Sequence, residues 1–505
     1  MAVKVDTQKE IIFGSSNPNI SRVISKKEKD GELRKLAPRI YTTNLIDSPA
    51  NIVRRNLIEI LVYRYPNALI SHRSAKEMRP TSTGDFFLTN STTRRVTDLP
   101  GIILNFVKGP KATAHDIPFM GMHISGEHRY MLENMQLSRK SGDESRVLPI
   151  SVIENKLEQL LLTGGEERLN QYRDELREVA NELGMADEFS KINNIISALL
   201  STHDARVLST DSAKARASGN PFDANRVGLF EILFDTIKDR YFVIRNNRNT
   251  DEDSFRLFSF FESYFSNYIE GTEFDIEEAK EIVDSGIPMP RRDEDSHDIL
   301  GTFKILSNRT EMRRVPTSPE ELFAILSHRH TILLEGRPHM NPGVFKMRNN
   351  RAGQTEFVDY QLVKGTLSQG FKYYSALTDP FARAIFMMFM ISEVHPFNDG
   401  NGRIARVMMN AEFVRADQSR IIVPTVFRED YILALRKLTR HKDPMAYINV
   451  MTKLHQFSDN LYGTDFTELK NYLAACNAYE EPSQAKLKII DRTDCTIRSI
   501  LNYHD

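Results

Sequence analysis

The chain has 505 residues, 40% hydrophobic and 27% charged, with a formal net charge of −1 at pH 7. That describes a soluble globular protein of about two to four domains and excludes a global field drawing it to nucleic acid or membrane. Cys476 and Cys495 are the only cysteines, which rules out a disulfide framework or a zinc site. With no signal-like N-terminus and no apolar run of about 18 residues, the chain is expected in the reducing cytoplasm, with no membrane partner.

Residues 1–50 lean basic, with Lys4, Lys9, Arg22, Lys26, Lys27, Lys29, Arg34, Lys35 and Arg39. Ser25 to Tyr41 alternates turn residues with short apolar runs and predicts a helix end followed by a wing-like hairpin. A charge cluster alone is usually a solvated face. In residues 51–145, Asn56 to Tyr65 has helical apolar spacing and Pro66 to Ser74 breaks it. Asp85–Thr89 and Ile102–Val107 predict strands. Ser71, His72 and Ser74 read as caps and turn bonds, not as a nucleophile with its base. With Gly31-Glu32-Leu33 and Arg39-Ile40-Tyr41, this region resembles the N-terminal winged-helix and following domain of AbiEi-type antitoxins. That resemblance implies a winged-helix-like segment at 1–50, an α+β domain at 51–145, and DNA as a partner.

Residues 146–223 predict a helical connector, with Leu169, Tyr172, Leu176, Val179, Ala180 and Leu183 at helical spacing after a Thr163-Gly164-Gly165 break. Ser209 to Asp223 reads as a linker. From 224 to 460 helical patterns dominate. Asp253 to Tyr268 is rich in Phe and Tyr, a core stripe that ends in Ser266-Asn267-Tyr268-Ile269-Glu270-Gly271. Arg291 to Ser296 reads as a solvated loop and residues 320–334 as a helix. Pro342–Arg348 and Thr355–Val358 flank the polar Asn349–Gln354 and predict a hairpin. Asp379 and Pro380 suit the cap and first position of a buried helix. Residues 461–505 form a C-terminal extension with a helix expected from Gln484.

The chain's chemistry concentrates in His395-Pro396-Phe397-Asn398-Asp399-Gly400-Asn401-Gly402-Arg403-Ile404-Ala405-Arg406. Helix-like patterns flank it, so its glycines sit where the second helix begins. Unpaired N–H groups at a helix N-terminus attract phosphate, and glycines let the backbone approach an anion closely. Arg403 and Arg406 share a face and add charge-assisted bonds. Asp399 is a hard oxygen ligand suited to Mg²⁺, and His395 has a pKa suited to a general base. Gly400 to Ala405 also fits the dinucleotide-binding pattern, but that pattern needs a preceding strand.

These residues match the signature of the Fic family, His-Pro-Phe-x-Asp/Glu-Gly-Asn-Gly-Arg-x-x-Arg. The resemblance implies an all-helical core that transfers AMP from ATP to a protein hydroxyl, with ATP and Mg²⁺ required. His395 would take the proton and Asp399 hold the metal. Gly400, Asn401 and Gly402 would line the anion hole, Arg403 and Arg406 would hold the outer phosphates, and Phe397 would anchor the loop. The 342–358 hairpin corresponds to the family's flap, which pairs with the target's backbone. Ser266, Glu270 and Gly271 fit the family's in-chain inhibitory motif: a carboxylate near Arg403 and Arg406 would occupy an arginine meant for phosphate.

The expected fold is therefore mainly α, a helical Fic core at 224–460 with a β-hairpin flap, preceded by a smaller α+β winged-helix-like region. The expected partner is a protein bearing a Ser, Thr or Tyr hydroxyl, with self-modification and a homodimer left open. Two alternatives stand beside this reading: a DNA-bound regulator whose Fic domain senses nucleotide, and the reverse reaction, with Glu270 orienting water to remove AMP.

Overall fold

The computed structural model describes residues 9–200, 205–353 and 355–492; Lys4, Gln354 and Cys495 lie outside the described residues. The chain divides into two compact units, Met1–Ser218 and Gly219–Asp505.

The first unit opens with β1 (Ile11–Phe13), α1 (Pro18–Lys29), β2 (Arg34–Ala37) and β3 (Ile40–Thr42), an antiparallel sheet in the order β1-β3-β2. Asn17 caps α1 by accepting from the Asn19 N–H, and Pro18 takes its first turn. Ile24 packs inward with Ile12 and Leu33. Arg22, Lys26 and Lys29, spaced i, i+4 and i+7, line the exposed face. The predicted hairpin is β2–β3.

Next come α2 (Pro49–Arg55), α3 (Leu57–Arg64), β4 (Leu69–Ile70), α4 (His72–Glu77), β5 (Asp85–Asn90), β6 (Arg94–Leu99), β7 (Ile102–Lys108), β8 (Ile117–Phe119) and β9 (Met122–Ile124). Their six strands form one mixed sheet, β6-β7-β5-β4-β9-β8. Ser71, His72 and Ser74 are spent on internal bonds. Ser71 Oγ accepts from Thr89 Oγ1 at 2.8 Å, the His72 N–H donates to Glu133, and Ser74 Oγ accepts from the Phe87 N–H.

The unit closes with α5 (Glu127–Glu133), α6 (Ile150–Leu183), α7 (Ala186–Leu199) and α8 (Asp211–Ala217). Helix α6 kinks at Gly165, where φ is 68° and ψ −172°. Helix α8 lies inside the stretch read as a linker. Thr210 caps it, and Ser212 donates to buried Glu158 at 2.6 Å. Its small polar composition hides a helix whose stability comes from tertiary bonds.

The second unit is helical apart from one short hairpin. It runs through α9 (Ala224–Ile237), α10 (Glu252–Ile269), α11 (Ile276–Ser285), α12 (Asp293–Leu306), α13 (Arg309–Met312) and α14 (Pro319–Leu333). The hairpin, β10 (Arg351–Ala352) with β11 (Thr355–Glu356), leads into α15 (Val363–Ala376), α16 (Pro380–Val394) and α17 (Asn401–Arg415). Then come α18 (Arg428–His441), α19 (Pro444–Ser458) and α20 (Phe466–Ala475). Helix α16 is apolar all round because it is buried all round: Phe386 to Met390 are inaccessible. Asp379 caps it, accepting from the Ala382 N–H at 2.9 Å.

Three further expectations change. Arg291–Ser296 is not a loop throughout: α12 begins at Asp293, and Asp293, Glu294 and Asp295 suit the positive end of a helix dipole. The hairpin strands are shorter than predicted because the backbone upstream is already engaged: the Lys346 N–H donates to Pro396 O at 2.9 Å, and the Gly343 N–H to His330 Nδ1 at 2.8 Å. Gln484 to Arg492 is not helical, whereas α20, capped by Asp465, falls in the stretch that composition left unassigned. No described helix is long and apolar enough to cross a membrane.

Helix α10 is pinned by a buried charge pair. Glu262 meets Arg420 at 2.9 Å, both side chains 4% exposed, and accepts from Asn410 of α17 at 2.6 Å. Removing one partner of such a pair leaves an uncompensated charge. Glu262→Ala should therefore lower the unfolding free energy by about 3–5 kcal/mol, read from denaturant titration; a loss below about 1 kcal/mol would contradict the pair's role.

Candidate active site

The loop between α16 and α17 is held both by its neighbours and by bonds within its own turn. His395 is the C-terminal cap of α16 in the left-handed region, φ 52°. Phe397 is fully buried and lies flat on His330 of α14, ring centroids 3.7 Å apart and planes 6° apart. His330 is bonded at both nitrogens: Nδ1 accepts from the Gly343 N–H, and Nε2 lies 3.0 Å from Asp399 O. A carbonyl can only accept, so the proton of His330 sits on Nε2. Asn401 closes the loop on itself: its Oδ1 accepts from the Phe397 N–H at 2.9 Å and its Nδ2 donates to Phe397 O at 2.8 Å. The Asn401 side chain is therefore a strut, and only its backbone N–H is available to an anion.

The same donor logic sets His395. Its Nδ1 lies 3.2 Å from Ser392 O, so Nδ1 carries the hydrogen and Nε2 the lone pair. Burial holds its pKa down at about 4, helped by Lys346 and opposed by the Ser392 bond and by Glu270 and Asp399. The ring stacks on Phe357, immediately after β11, at 3.6 Å and 3°. Arg226 of α9 and Arg440 of α18 anchor that strand, through Glu356 O at 2.6 Å and Thr355 Oγ1 at 3.0 Å.

Helix α17 starts at Gly400, whose φ is 72°, and among the described residues no side chain caps it. Its first-turn N–H groups and its dipole favour an anion there. Asp399, 40% exposed at the side chain, lies 3.5 Å from Arg403. A lone half-exposed carboxylate suits a hard cation that arrives with phosphate oxygens; among the described residues no cluster of three metal-binding side chains exists.

The two arginines have separate partners. Arg406 donates to Glu270 Oε1 at 2.7 Å, to Ser266 Oγ at 2.9 Å and to Ser266 O at 2.8 Å. Glu270 caps α10, and the next residue, Gly271, turns the chain at φ 95°, a conformation that glycine adopts without strain. Burial pushes the Glu270 carboxyl up, but Arg406, and beyond it Arg403 and His395, more than offset this, so the net shift is down. A Cβ at Gly402 would stand 2.1 Å from Glu270 Oε1, so a larger residue there would have to push that carboxylate aside. Arg403 instead meets Asp298 of α12 at 2.8 Å, and Asp298 is also bound by Arg337 at 2.8 Å.

The fold thus gathers His395, Phe397, Asp399, Gly400, Asn401, Gly402, Arg403, Arg406, Ser266, Glu270 and Gly271 into one site. Sequence reasoning missed Asp298, two residues past the end of the charge run, and His330, which sits among the inward positions Leu326 and Leu333 of α14. Lys346, Asn350 and Phe357 left no signal beyond lying on the predicted hairpin.

Residues 318–412 match the model of the Fic/DOC family. The C-terminal unit carries a Fic domain. The chain is similar to "Protein adenylyltransferase fic-1" of Caenorhabditis elegans, 28% identical over 123 residues that make up 24% of each chain. It is also similar to "Protein adenylyltransferase Fic" of Nematostella vectensis, 24% identical over 214 residues, 39% of this chain and 47% of that one. The chain therefore spans from about a quarter to about half of these relatives' length. A solved structure of residues 134–508 of the C. elegans protein aligns with TM-score 0.35 and 17% identity over 65% of this chain and 92% of that one.

Three buried histidines of the second unit carry a pH consequence. Burial holds His330, His395 and His455 down at about 4, below the ordinary value near 6.5. Between those values the unfolded chain binds protons that the folded chain refuses, so stability falls as pH drops. Burial raises the Glu262 carboxyl to about 7 and pulls the other way, so the rings are best followed directly: NMR titration should show these imidazoles unprotonated down to about pH 5, and protonation near pH 6.5 would show that they are not held neutral.

Proposed function

We propose that this chain is a nucleotidyltransferase that moves AMP from ATP to a hydroxyl side chain of a protein, and that Glu270 holds it in check. The observation that carries the reading is the pairing of Glu270 with Arg406 beside an uncapped helix start and a neutral His395. His395 Nε2 accepts the proton of the target Ser, Thr or Tyr. The alcohol oxygen attacks the α-phosphorus, the bond from that phosphorus to the bridging oxygen breaks, and pyrophosphate leaves with the electron pair. The first-turn N–H groups of α17 and the Arg406 guanidinium take up the charge on the phosphate oxygens. Asp399 would hold a Mg²⁺, which when bound supplies charge neutralisation to the polyphosphate.

Arg406 cannot serve Glu270 and an outer phosphate in the same pose, so removing the carboxylate releases the enzyme. Glu270→Gly should raise labelling of the chain or its target from labelled ATP by roughly tenfold or more, and His395→Ala in that background should abolish labelling while ATP still binds. Unchanged labelling in Glu270→Gly would remove the inhibition, and retained labelling in His395→Ala would remove the base. Release of AMP from a modified protein by the unaltered chain, with no labelling in either form, would favour the reverse reaction, with Glu270 orienting water.

A second reading concerns the first unit: we propose that it binds DNA. Arg22, Lys26 and Lys29 present one exposed stripe on α1 beside the β2–β3 hairpin, and among the described residues none of them has an ion-pair partner. Phosphate contacts of this kind weaken steeply with salt. Duplex DNA should bind the full chain at low salt, and replacing the three with Glu should abolish binding; equal binding by both chains would refute the stripe.

A further inference from the structure

We propose that Lys346 is a positioning residue for the transfer reaction, locking the catalytic loop and the hairpin into one rigid piece. It rests on the reading that the His395 loop transfers a nucleotide. Lys346 lies in the irregular segment before β10, and its side chain is buried, the residue 3% exposed. A buried ammonium normally sits against a carboxylate; among the described residues Lys346 has none within ion-pair distance. It spends its charge on the loop instead. Its Nζ donates to Asn350 Oδ1 at 2.6 Å and lies 3.4 Å from Val394 O. Its backbone N–H donates to Pro396 O.

Asn350 continues the chain of contacts. Its Nδ2 donates to Phe397 O at 2.9 Å, and its own carbonyl accepts the Phe357 N–H at 3.3 Å. Two residues thus engage the carbonyls on either side of His395, at 394, 396 and 397, and one of them closes the hairpin whose Phe357 lies on the His395 ring. The cation and the base are linked at both ends of this circuit. A shift of the loop moves the imidazole and the hairpin together, and displacement of the order of 1 Å can cost about a hundredfold in rate.

The titratable and charged groups that face this node are His395 from the loop, Asp359 after β11, and Arg226 from α9. Burial lowers the Lys346 pKa to about 8, with Asp359 opposing and Arg226 assisting. The ammonium in turn helps keep His395 unprotonated. Loss of the Lys346 proton weakens the charge-assisted bonds to the loop, so the lock loosens on the alkaline side.

The test uses the full chain carrying Glu270→Gly, with labelling from ATP followed as a function of pH. Turnover should decline above about pH 8. Lys346→Arg, which keeps the charge and does not titrate in this range, should move that decline upward by at least one pH unit while leaving the acid side in place. Lys346→Met should lower kcat by roughly tenfold to a hundredfold with little change in the KM for ATP. An alkaline decline at the same pH in Lys346→Arg would overturn the proposal, as would full turnover in Lys346→Met. Absence of labelling in the Glu270→Gly parent would instead strike the nucleotidyltransferase reading itself.

Discussion

Arg406 is buried, and a buried guanidinium must have an anion beside it. That requirement organises the second unit. Helix α10 ends where its last turn can present Ser266 and Glu270 to Arg406, and the Glu262–Arg420 pair fixes the middle of the same helix. Gly271 turns the chain away immediately afterwards. Because the guanidinium is satisfied by a carboxylate of the chain, the protein can fold around an anion site without an anion in it.

The two loop arginines differ in how their partners could be exchanged. Asp298 is 2% exposed at the side chain and is gripped by Arg337 as well as Arg403; extracting it would break both pairs at once. Glu270 is 34% exposed, sits at a helix end and has one cationic partner. Swinging it out costs one ion pair whose arginine a phosphate could immediately satisfy. Of the two carboxylates, Glu270 is the one placed to leave.

Much of this was readable in the sequence, for definite reasons. The loop could be read because its residue types are chemically specific and adjacent. Helix α16 could be read because an Asp-Pro cap followed by a long apolar stretch suits a buried helix and little else. Asp298 and Lys346 could not, because their importance comes from what faces them, and contact across about 100 and 50 positions of chain leaves no local pattern. Helix α12 was misread at its start because acidic residues suit a helix N-terminus as well as a solvated loop. Asn401 was read as part of the anion-binding turn, and only the geometry showed that its side chain is spent bracing that turn.

Gly402 carries a further implication. A methyl group there would stand 2.1 Å from the Glu270 carboxylate and 3.2 Å from an Arg406 nitrogen, between the start of α17 and the guanidinium. On the reading that Glu270 restrains the site, a side chain at 402 that displaced the carboxylate would also crowd the start of α17, where the ligand would bind. On the same reading, release from restraint is open to changes on α10 and closed to changes at this glycine.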